Sequence, residues 1–434
     1  MPQMGSGSAT PGTRHHLPVP PLAHHAEEGP SMSVPRTPLS RSGLRLTVTG
    51  AAVLALGLGI LPAVSHAAAA EEPVGVILNA DAPEAVEGSY IVIFKDEVEA
   101  GSTEAEKLAE DFDAEITSTW ESVLNGVAIE ADEADAAKLA AHPAVEAVVQ
   151  DEVVHTTATQ VNPPSWGLDR IDQPALPLNN SYTYPDQAGA GVTIYIVDTG
   201  IRYTHNDFGG RARFGYDAFG GNGSDGNGHG THVAGTAAGT AYGVAKRADL
   251  VSVKVLNNSG SGTVQSVVNG INWITRNASG PSVANMSLGG GANSVIDQAV
   301  RDSIASGVTY VVAAGNSNAN AGNSSPARVT QAITVAASTS SDSRASFSNY
   351  GSVVDIFAPG QSIAAPWHTS NTAVNTISGT SMAAPHVAGA AALVLGGSPS
   401  LSPAQVESRL VSLSTTGRIS NPGSGSPNRL LRVP

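Results

Sequence analysis

The sequence predicts two folded units in tandem. A small α+β domain of ferredoxin-like order comes first, then a larger three-layer α/β domain with a mostly parallel central sheet. Three observations carry this. The 434-residue chain has a net charge of −15, yet residues 68–157 alone hold 22 acids against three Lys, while residues 158–434 hold 13 acids against 15 bases. So uneven a charge distribution marks a separable acidic unit. Strand and helix signals between residues 89 and 150 follow the order β-α-β-β-α-β, the split motif of ferredoxin-like domains. Apolar runs after residue 166 do not alternate with polar residues, which is the pattern of parallel strands buried on both faces.

In the small unit, Tyr90–Phe94 reads as a strand and 103–113 as a helix. Ile116–Trp120 and Val127–Glu130 flank a turn at Asn125-Gly126, a hairpin signal. A helix over 132–141 and a strand over Val145–Gln150 close the motif. In the large unit the strands are Val192–Val197, Leu250–Leu256, Val283–Leu288, Val308–Ala313, Ile333–Ala336 and Val353–Phe357. Helices fall near 263–276 and 293–306, and a third runs from Ser381 to about Leu395 with Pro385 in its first turn.

Ahead of both units, residues 1–31 are a low-complexity stretch, and Met32 is a candidate start codon, in which case they are not translated. Arg36, Arg41 and Arg45 precede an apolar run from Leu46 to Val64, and Ser65-His66-Ala67 fits a small-x-small cleavage site. This reads as a secretory signal peptide over 32–67 rather than a membrane anchor. The product is expected to be exported and free of the membrane once the signal is removed. Cys is absent, which excludes disulfides, thiolate metal sites and a cysteine nucleophile. The near-neutral large unit lacks the basic footprint of nucleic-acid binding.

Three motifs lie where an α/β sheet places its chemistry, beyond the carboxyl ends of the strands. Ile194-Tyr195-Ile196-Val197-Asp198-Thr199-Gly200 is a buried strand ending in a carboxylate, which many strands use only to turn. Asp225-Gly226-Asn227-Gly228-His229-Gly230-Thr231-His232 leads a Gly-rich entry into a small-residue helix. It lacks the Glu of a His-Glu-x-x-His zinc helix. Ser378-Gly379-Thr380-Ser381-Met382-Ala383-Ala384-Pro385-His386 sets a Ser at the start of an apolar helix, where it either caps or meets free N–H groups. Each is modest alone. Together, in the order Asp198, His229, Ser381, they supply a nucleophile, its base and the carboxylate that orients the base.

On these motifs the chain resembles subtilisin-like serine proteases of the proteinase K branch, and within it the aqualysin-like members. The resemblance covers 166–434, including Trp166–Gln173 and Phe347-Ser348-Asn349-Tyr350-Gly351. Residues 68–157 resemble the inhibitor-type propeptide of that family, and 158–434 its catalytic domain. The resemblance implies a secreted, monomeric endopeptidase that acts on polypeptides and processes itself. It makes Ser381 the nucleophile, His229 the base and Asp198 its orienting partner. Asn316 becomes the oxyanion donor beside the Ser381 N–H, and His232 and His386 are structural. Gly260-Ser261-Gly262 and Ser287-Leu288-Gly289 would pair with substrate backbone, and Ser287–Gly289 with Ala313, Ala314 and Gly315 would line the primary pocket. None of these is acidic, so apolar or aromatic P1 side chains are expected.

The resemblance further implies structural calcium. Asp355 with the carbonyls of Thr330 and Ala332 forms one set; Asp169, Asp172, Gln173, Asn179 and Ser181 form another. The alternative for Asp169 and Asp172 is a surface pair near Arg170. Gly226, Asn258, Gly322 and Val353 stand at or next to positions where aqualysin-like members carry Cys, so two disulfides are missing. The propeptide is expected to fold first, assist and then inhibit, with Val153–Thr157 lying in the cleft and self-cleavage near Thr157-Ala158. Two other classes compete with this reading. A catalytically inactive subtilase-like peptide-binding protein would be expected to have lost a triad member or Asn316. An acidic binding protein on an inert scaffold leaves the motif order unexplained.

Overall fold

The computed structural model describes residues 73–434 except 81, 83, 84 and 155. The expected signal peptide and the stretch 1–31 lie outside the described residues. The acidic unit consists of β1 (Ile77–Leu78), β2 (Ala85–Phe94), α1 (Thr103–Asp111), β3 (Glu115–Trp120), β4 (Gly126–Glu130), α2 (Glu133–Ala140) and β5 (Val145–Glu152). Its strands lie in the order β1-β5-β2-β4-β3, with β2 to β5 antiparallel, which is the ferredoxin-like arrangement. Val92, Ile129, Leu139 and Val148 fill its core. The β3–β4 connection is not a two-residue turn at Asn125-Gly126. It spans 121–125, and Gly126 is already in the strand, where a Cβ would stand 2.4 Å from the Val92 carbonyl. Asn125 is drawn aside by the loop after β2. Its Oδ1 accepts from the Ala100 N–H at 2.9 Å and its Nδ2 donates to the Val98 carbonyl at 2.8 Å.

The large unit runs β6 (Thr157–Val161), α3 (Trp166–Ile171), β7 (Ser181–Pro185), β8 (Thr193–Asp198), β9 (Ala212–Asp217), α4 (His229–Ala238), β10 (Asp249–Lys254), α5 (Val264–Asn277), β11 (Ser282–Met286), β12 (Gly290–Gly291), α6 (Ser294–Ala305), β13 (Thr309–Ala313) and β14 (Ser324–Ser325). It continues β15 (Ile333–Ser338), β16 (Ile356–Pro359), β17 (Ile363–Pro366), β18 (Val374–Ile377), α7 (Thr380–Gly397), α8 (Pro403–Leu413), β19 (Thr415–Thr416) and β20 (Arg429–Leu430). One sheet of order β19-β20-β16-β15-β13-β11-β8-β10-β9 forms the middle layer, parallel but for β19. Alternate residues of β8 serve opposite faces. Ile194 and Ile196 pack with α4 and α7, while Tyr195 and Val197 pack with α5 and α6. Both faces are therefore buried, which is why these strands read as unbroken apolar runs. Helix starts are set by side chains: Thr263 and Ser266 form a capping box for α5, and Asn293 accepts two N–H groups of α6. Among the described residues no helix is long and apolar enough to cross a membrane.

Two further expectations change. Pro385 is the sixth residue of α7, inside the helix rather than in its first turn. Among the described residues of the tail before the catalytic unit, none borders the cleft described below. Val153 and Val154 are exposed, Thr156 accepts from the Asp186 N–H, and Thr157 already belongs to β6, paired antiparallel with β7. One edge of an extended segment bonds one partner, and here that partner is β7.

Candidate active site

The strand end of β8 delivers Asp198, which is fully buried. Its Oδ1 accepts from the Thr199 N–H at 2.7 Å, which fixes the carboxylate. His229 opens α4, and its Nδ1 lies 2.8 Å and 3.0 Å from the two Asp198 oxygens. The helix begins from Gly228 at φ +112°, where a Cβ would collide with Trp367 and His368. Only Gly fits that approach. With Nδ1 held by Asp198, Nε2 is left toward the cleft. The His229 side chain is 27% exposed. Burial opposes its charging, but Asp198, by charge and hydrogen bond, and Asp225, by charge, outweigh burial and raise its pKa.

Asp225, in the same motif, is a functional residue that the motif reading leaves without a role. Its Oδ1 accepts from Thr199 Oγ1 and from the N–H groups of Asn227 and Gly228, each at 2.9 Å. Its Oδ2 accepts from Thr231 N at 2.9 Å and Thr231 Oγ1 at 2.6 Å. One carboxylate thus ties the end of β8 to the start of α4 and adds negative charge near the imidazole. An acid placed just ahead of a helix N-terminus was the available signal. Lys254 closes the far side, donating to the Thr199 carbonyl and to Asn258 Oδ1. Since a base must be neutral to accept a proton, the raised pKa sets the acid limb of kcat/KM above the ordinary His value. Asp225→Asn is expected to move that limb to lower pH in a pH–rate profile. An unmoved limb would show that Asp225 only braces the backbone.

Ser381 is the second residue of α7, so its N–H has no helical acceptor. Its Oγ donates to the Ser287 carbonyl at 3.1 Å. Asn316 Oδ1 accepts from Thr380 N and Thr380 Oγ1 at 2.8 Å and 2.9 Å, which leaves its Nδ2 as a donor. A Cβ built on Gly379 would sit 3.4 Å from Asn316 Nδ2 and 3.5 Å from Ser381 N, so two N–H donors converge in front of that glycine. The following loop is braced by Asn349. Its Oδ1 accepts from Ser317 N and Ala319 N, and its Nδ2 donates to the Ala314 carbonyl.

His229 and Ser381 border one open cleft of about 680 Å³, walled by Gly260–Gly262 on one side and Ser287–Gly289 on the other. An adjoining recess of about 320 Å³ is bounded by Ala313, Ala314, Gly315, Asn316 and Ser381. Among the described residues lining either space there is no Asp, Glu, Lys or Arg. His232 and His386 stand apart. Each is fully buried and bonded to a main-chain carbonyl, and burial lowers each pKa to about 4. Both stay neutral near pH 7.

The candidate cation ligands fall in two places. Asp169 accepts from Asn179 N and Asn180 N, and Asp172 Oδ2 from Thr183 N. Asn179 Oδ1 accepts from Ser181 N and Ser181 Oγ. Asp172 Oδ1 and Gln173 Oε1 are buried with no hydrogen-bond partner. Arg170 does not pair with these acids. It is fully buried and forks onto Asp342 at 2.7 Å and 2.9 Å. Burial, with Asp169 adding to it, raises Asp172 to about 6. At the other place Asp355 Oδ2 accepts from Thr334 N, two residues past Ala332, and burial lifts Asp355 to about 7. Among the described residues no three His, Cys, Asp or Glu cluster closely enough to hold a metal.

Comparison with known proteins is consistent along the chain. The model of the subtilase family matches residues 189–429, and that of the peptidase inhibitor I9 family matches residues 89–157. An extracellular serine proteinase of Thermus sp. (strain Rt41A) is 48% identical over 404 residues, which is 88% of this chain and 98% of the relative. An alkaline serine exoprotease A of Vibrio alginolyticus is 45% identical over 365 residues, covering 80% of this chain and 67% of the relative. A crystal structure of a cold-adapted subtilisin-like serine proteinase is 52% identical, with a TM-score of 0.60, over 62% of this chain and 98% of that one.

Proposed function

The chain belongs to the subtilase family and is a serine endopeptidase joined to its own inhibitor domain, and from this premise we propose how its residues divide the work. The observation that carries the assignment is one cleft bordered by the Asp198-bound His229 and by Ser381, with Asn316 beside Ser381 in the adjoining recess. Ser381 Oγ turns from the Ser287 carbonyl to His229 Nε2 as substrate enters, since catalytic contacts tighten in the complex. It attacks the peptide carbonyl while His229 takes its proton. The negative oxygen is met by Asn316 Nδ2 and the Ser381 N–H. Asp198 holds the imidazole in the tautomer that exposes Nε2 and stabilises its charged form. His229 then returns the proton to the leaving amine, and water repeats the sequence on the acyl-enzyme.

A fluorophosphonate probe is expected to label Ser381 in the wild type and not in His229→Ala. Equal labelling of both would mean that the hydroxyl is not activated by this base. Asn316→Ala is expected to lower kcat by roughly 10²–10³ with KM little changed, the magnitude known from subtilisin, a relative. An unchanged kcat removes Asn316 from the mechanism.

The uncharged recess supports apolar or aromatic P1 side chains, and the two extended walls support backbone pairing with broad sequence tolerance. In a panel of peptides varied at P1, Phe and Leu are expected to exceed Lys and Arg in kcat/KM; a basic preference would refute it. Residues 32–67 direct export, in keeping with the extracellular naming of the Thermus relative. Residues 68–157 are removed by self-cleavage, and Ala158–Val161, the rest of β6, is then the first strand segment of the mature enzyme.

Calcium is the proposed structural cofactor. Asp172 and Gln173 present buried oxygens without donors beside the second acid Asp169, and the nearest guanidinium is spent on Asp342. An oxygen-only set lacking a positive partner suits a hard cation. Asp169, Asp172, Gln173, Asn179 and Ser181 would hold one ion, and Asp355 with the Thr330 and Ala332 carbonyls another. When bound, the ion neutralises these acids and takes no part in the chemical step.

A further inference from the structure

In an α-helix the carbonyl of residue i accepts the N–H of residue i+4. For Ser381 that residue is Pro385, which has no N–H. The second carbonyl of α7, on the nucleophile itself, is thereby left without its helical donor at a buried helix start, where an unmet carbonyl is costly. Ser287 Oγ fills the vacancy, donating to the Ser381 carbonyl at 2.8 Å. Asn285 makes this direction the only one open to the hydroxyl. Its Nδ2 donates to Ser287 Oγ at 2.9 Å, so the Ser287 proton is left for Ser381. Asn285 is fully buried and Ser287 is 3% exposed. The contact is reciprocal, because Ser381 Oγ rests on the Ser287 carbonyl. Ser287 follows β11, which lies between β8, carrying Asp198, and β13, leading to Asn316.

We propose that Ser287 is a positioning residue for Ser381, whose hydroxyl replaces the helical N–H that Pro385 removes. It locks the first turn of α7 to the centre of the sheet. A proline inside the helix is then what hands control of the nucleophile from the helix to the cleft wall. This rests on the assignment of Ser381 as nucleophile, which the probe labelling and Ser381→Ala test separately.

The test is a double-mutant cycle on the full chain, with kcat and KM measured on one peptide. Ser287→Ala is expected to lower kcat by roughly 10²-fold, the scale of a misplacement of about 1 Å. KM should stay within about twofold, because the backbone that pairs with substrate is kept. Pro385→Ala restores the N–H, so Ser287→Ala/Pro385→Ala should recover to within a few-fold of Pro385→Ala alone. Ser287→Thr, which keeps the hydroxyl, should also recover most of kcat. Additive losses in the cycle, or an unchanged kcat in Ser287→Ala, would overturn the proposal. If Ser287→Ala yields no mature enzyme, the cycle is read as the thermal midpoint of the intact chain in a Ser381→Ala background, where the residue 381 carbonyl remains. Pro385→Ala should then offset the midpoint lost with Ser287→Ala, and additivity again overturns it.

Discussion

Ser381→Ala is expected to leave the precursor whole and to lower peptide hydrolysis by about 10⁶ in kcat, the scale found for subtilisin. The alanine removes the one atom that forms the acyl bond and leaves the fold intact. Asp198, His229, Asn316 and the residue 381 N–H all keep their places, so residual catalysis of roughly 10³–10⁴ over water should persist. The measurement is intact mass of residues 68–434, expressed as wild type and variant in calcium. The wild type should lose residues 68–157 and the variant should not. Should both remain whole, the inactive peptide-binding alternative gains ground. Should both be cut, another protease does the processing, and the triad must then be tested on a peptide.

Chelation should lower the thermal midpoint of the mature enzyme by about 5–16 °C. One ion held at 100–1,000 times its dissociation constant stabilises by about 2.7–4.1 kcal/mol. Each kcal/mol shifts the midpoint of a domain near this size by roughly 2–4 °C. The sign with pH is distinctive. Without metal, Asp172 and Asp355 have folded pKa values of about 6 and about 7 against an ordinary 3.8. Groups raised in this way stabilise the fold while protonated, and that stabilisation is lost as pH climbs through those values. In chelator the midpoint should therefore fall between about pH 4 and pH 7, and calcium should flatten the fall. A midpoint indifferent to chelator at every pH would dispose of both ion sites.

The resemblance to aqualysin-like members implies two disulfides missing at or next to Gly226, Asn258, Gly322 and Val353, and ions at the proposed sites would offset that loss. A Cβ on Gly226 would stand 2.6 Å from the Asn258 side chain, and one on Gly322 would stand 3.9 Å from Val353. The partners still face each other but are not bonded covalently.

Much of this was legible in the residues, for physical reasons. Strands buried on both faces announce themselves as apolar runs, and a carboxylate, a histidine and a serine at element ends keep their local motifs wherever the chain goes. What was hidden depends on distant partners. Arg170 reads as a neighbour of Asp169 and Asp172 until Asp342, far along the chain, takes its fork. Asn125-Gly126 reads as a turn until the loop after β2 claims the asparagine. The strand at Val353–Phe357 begins only at Ile356, where pairing with β15 starts at Val335. Family likeness places the tail at Val153–Thr157 in the cleft, but its end at Thr156 and Thr157 is taken by β7, a competition between two edges that no single segment encodes. Asp225 was in plain view, and its five donors come from both sides of the turn it closes.

The order of strands in the central sheet bears on how long the enzyme lasts. Asp198, the cleft wall and the approach to Asn316 come from β8, β11 and β13, adjacent in the sheet but well separated along the chain, and Ser381 arrives later still. Parallel neighbours of this kind share no hairpin, so much loop entropy must be lost before any of the contacts form. The barrier that slows assembly also stands in the way of unfolding. A protease that releases its acidic partner and then lives among proteases is vulnerable whenever it opens. Its working durability is then a half-life governed by the opening rate, rather than an equilibrium free energy.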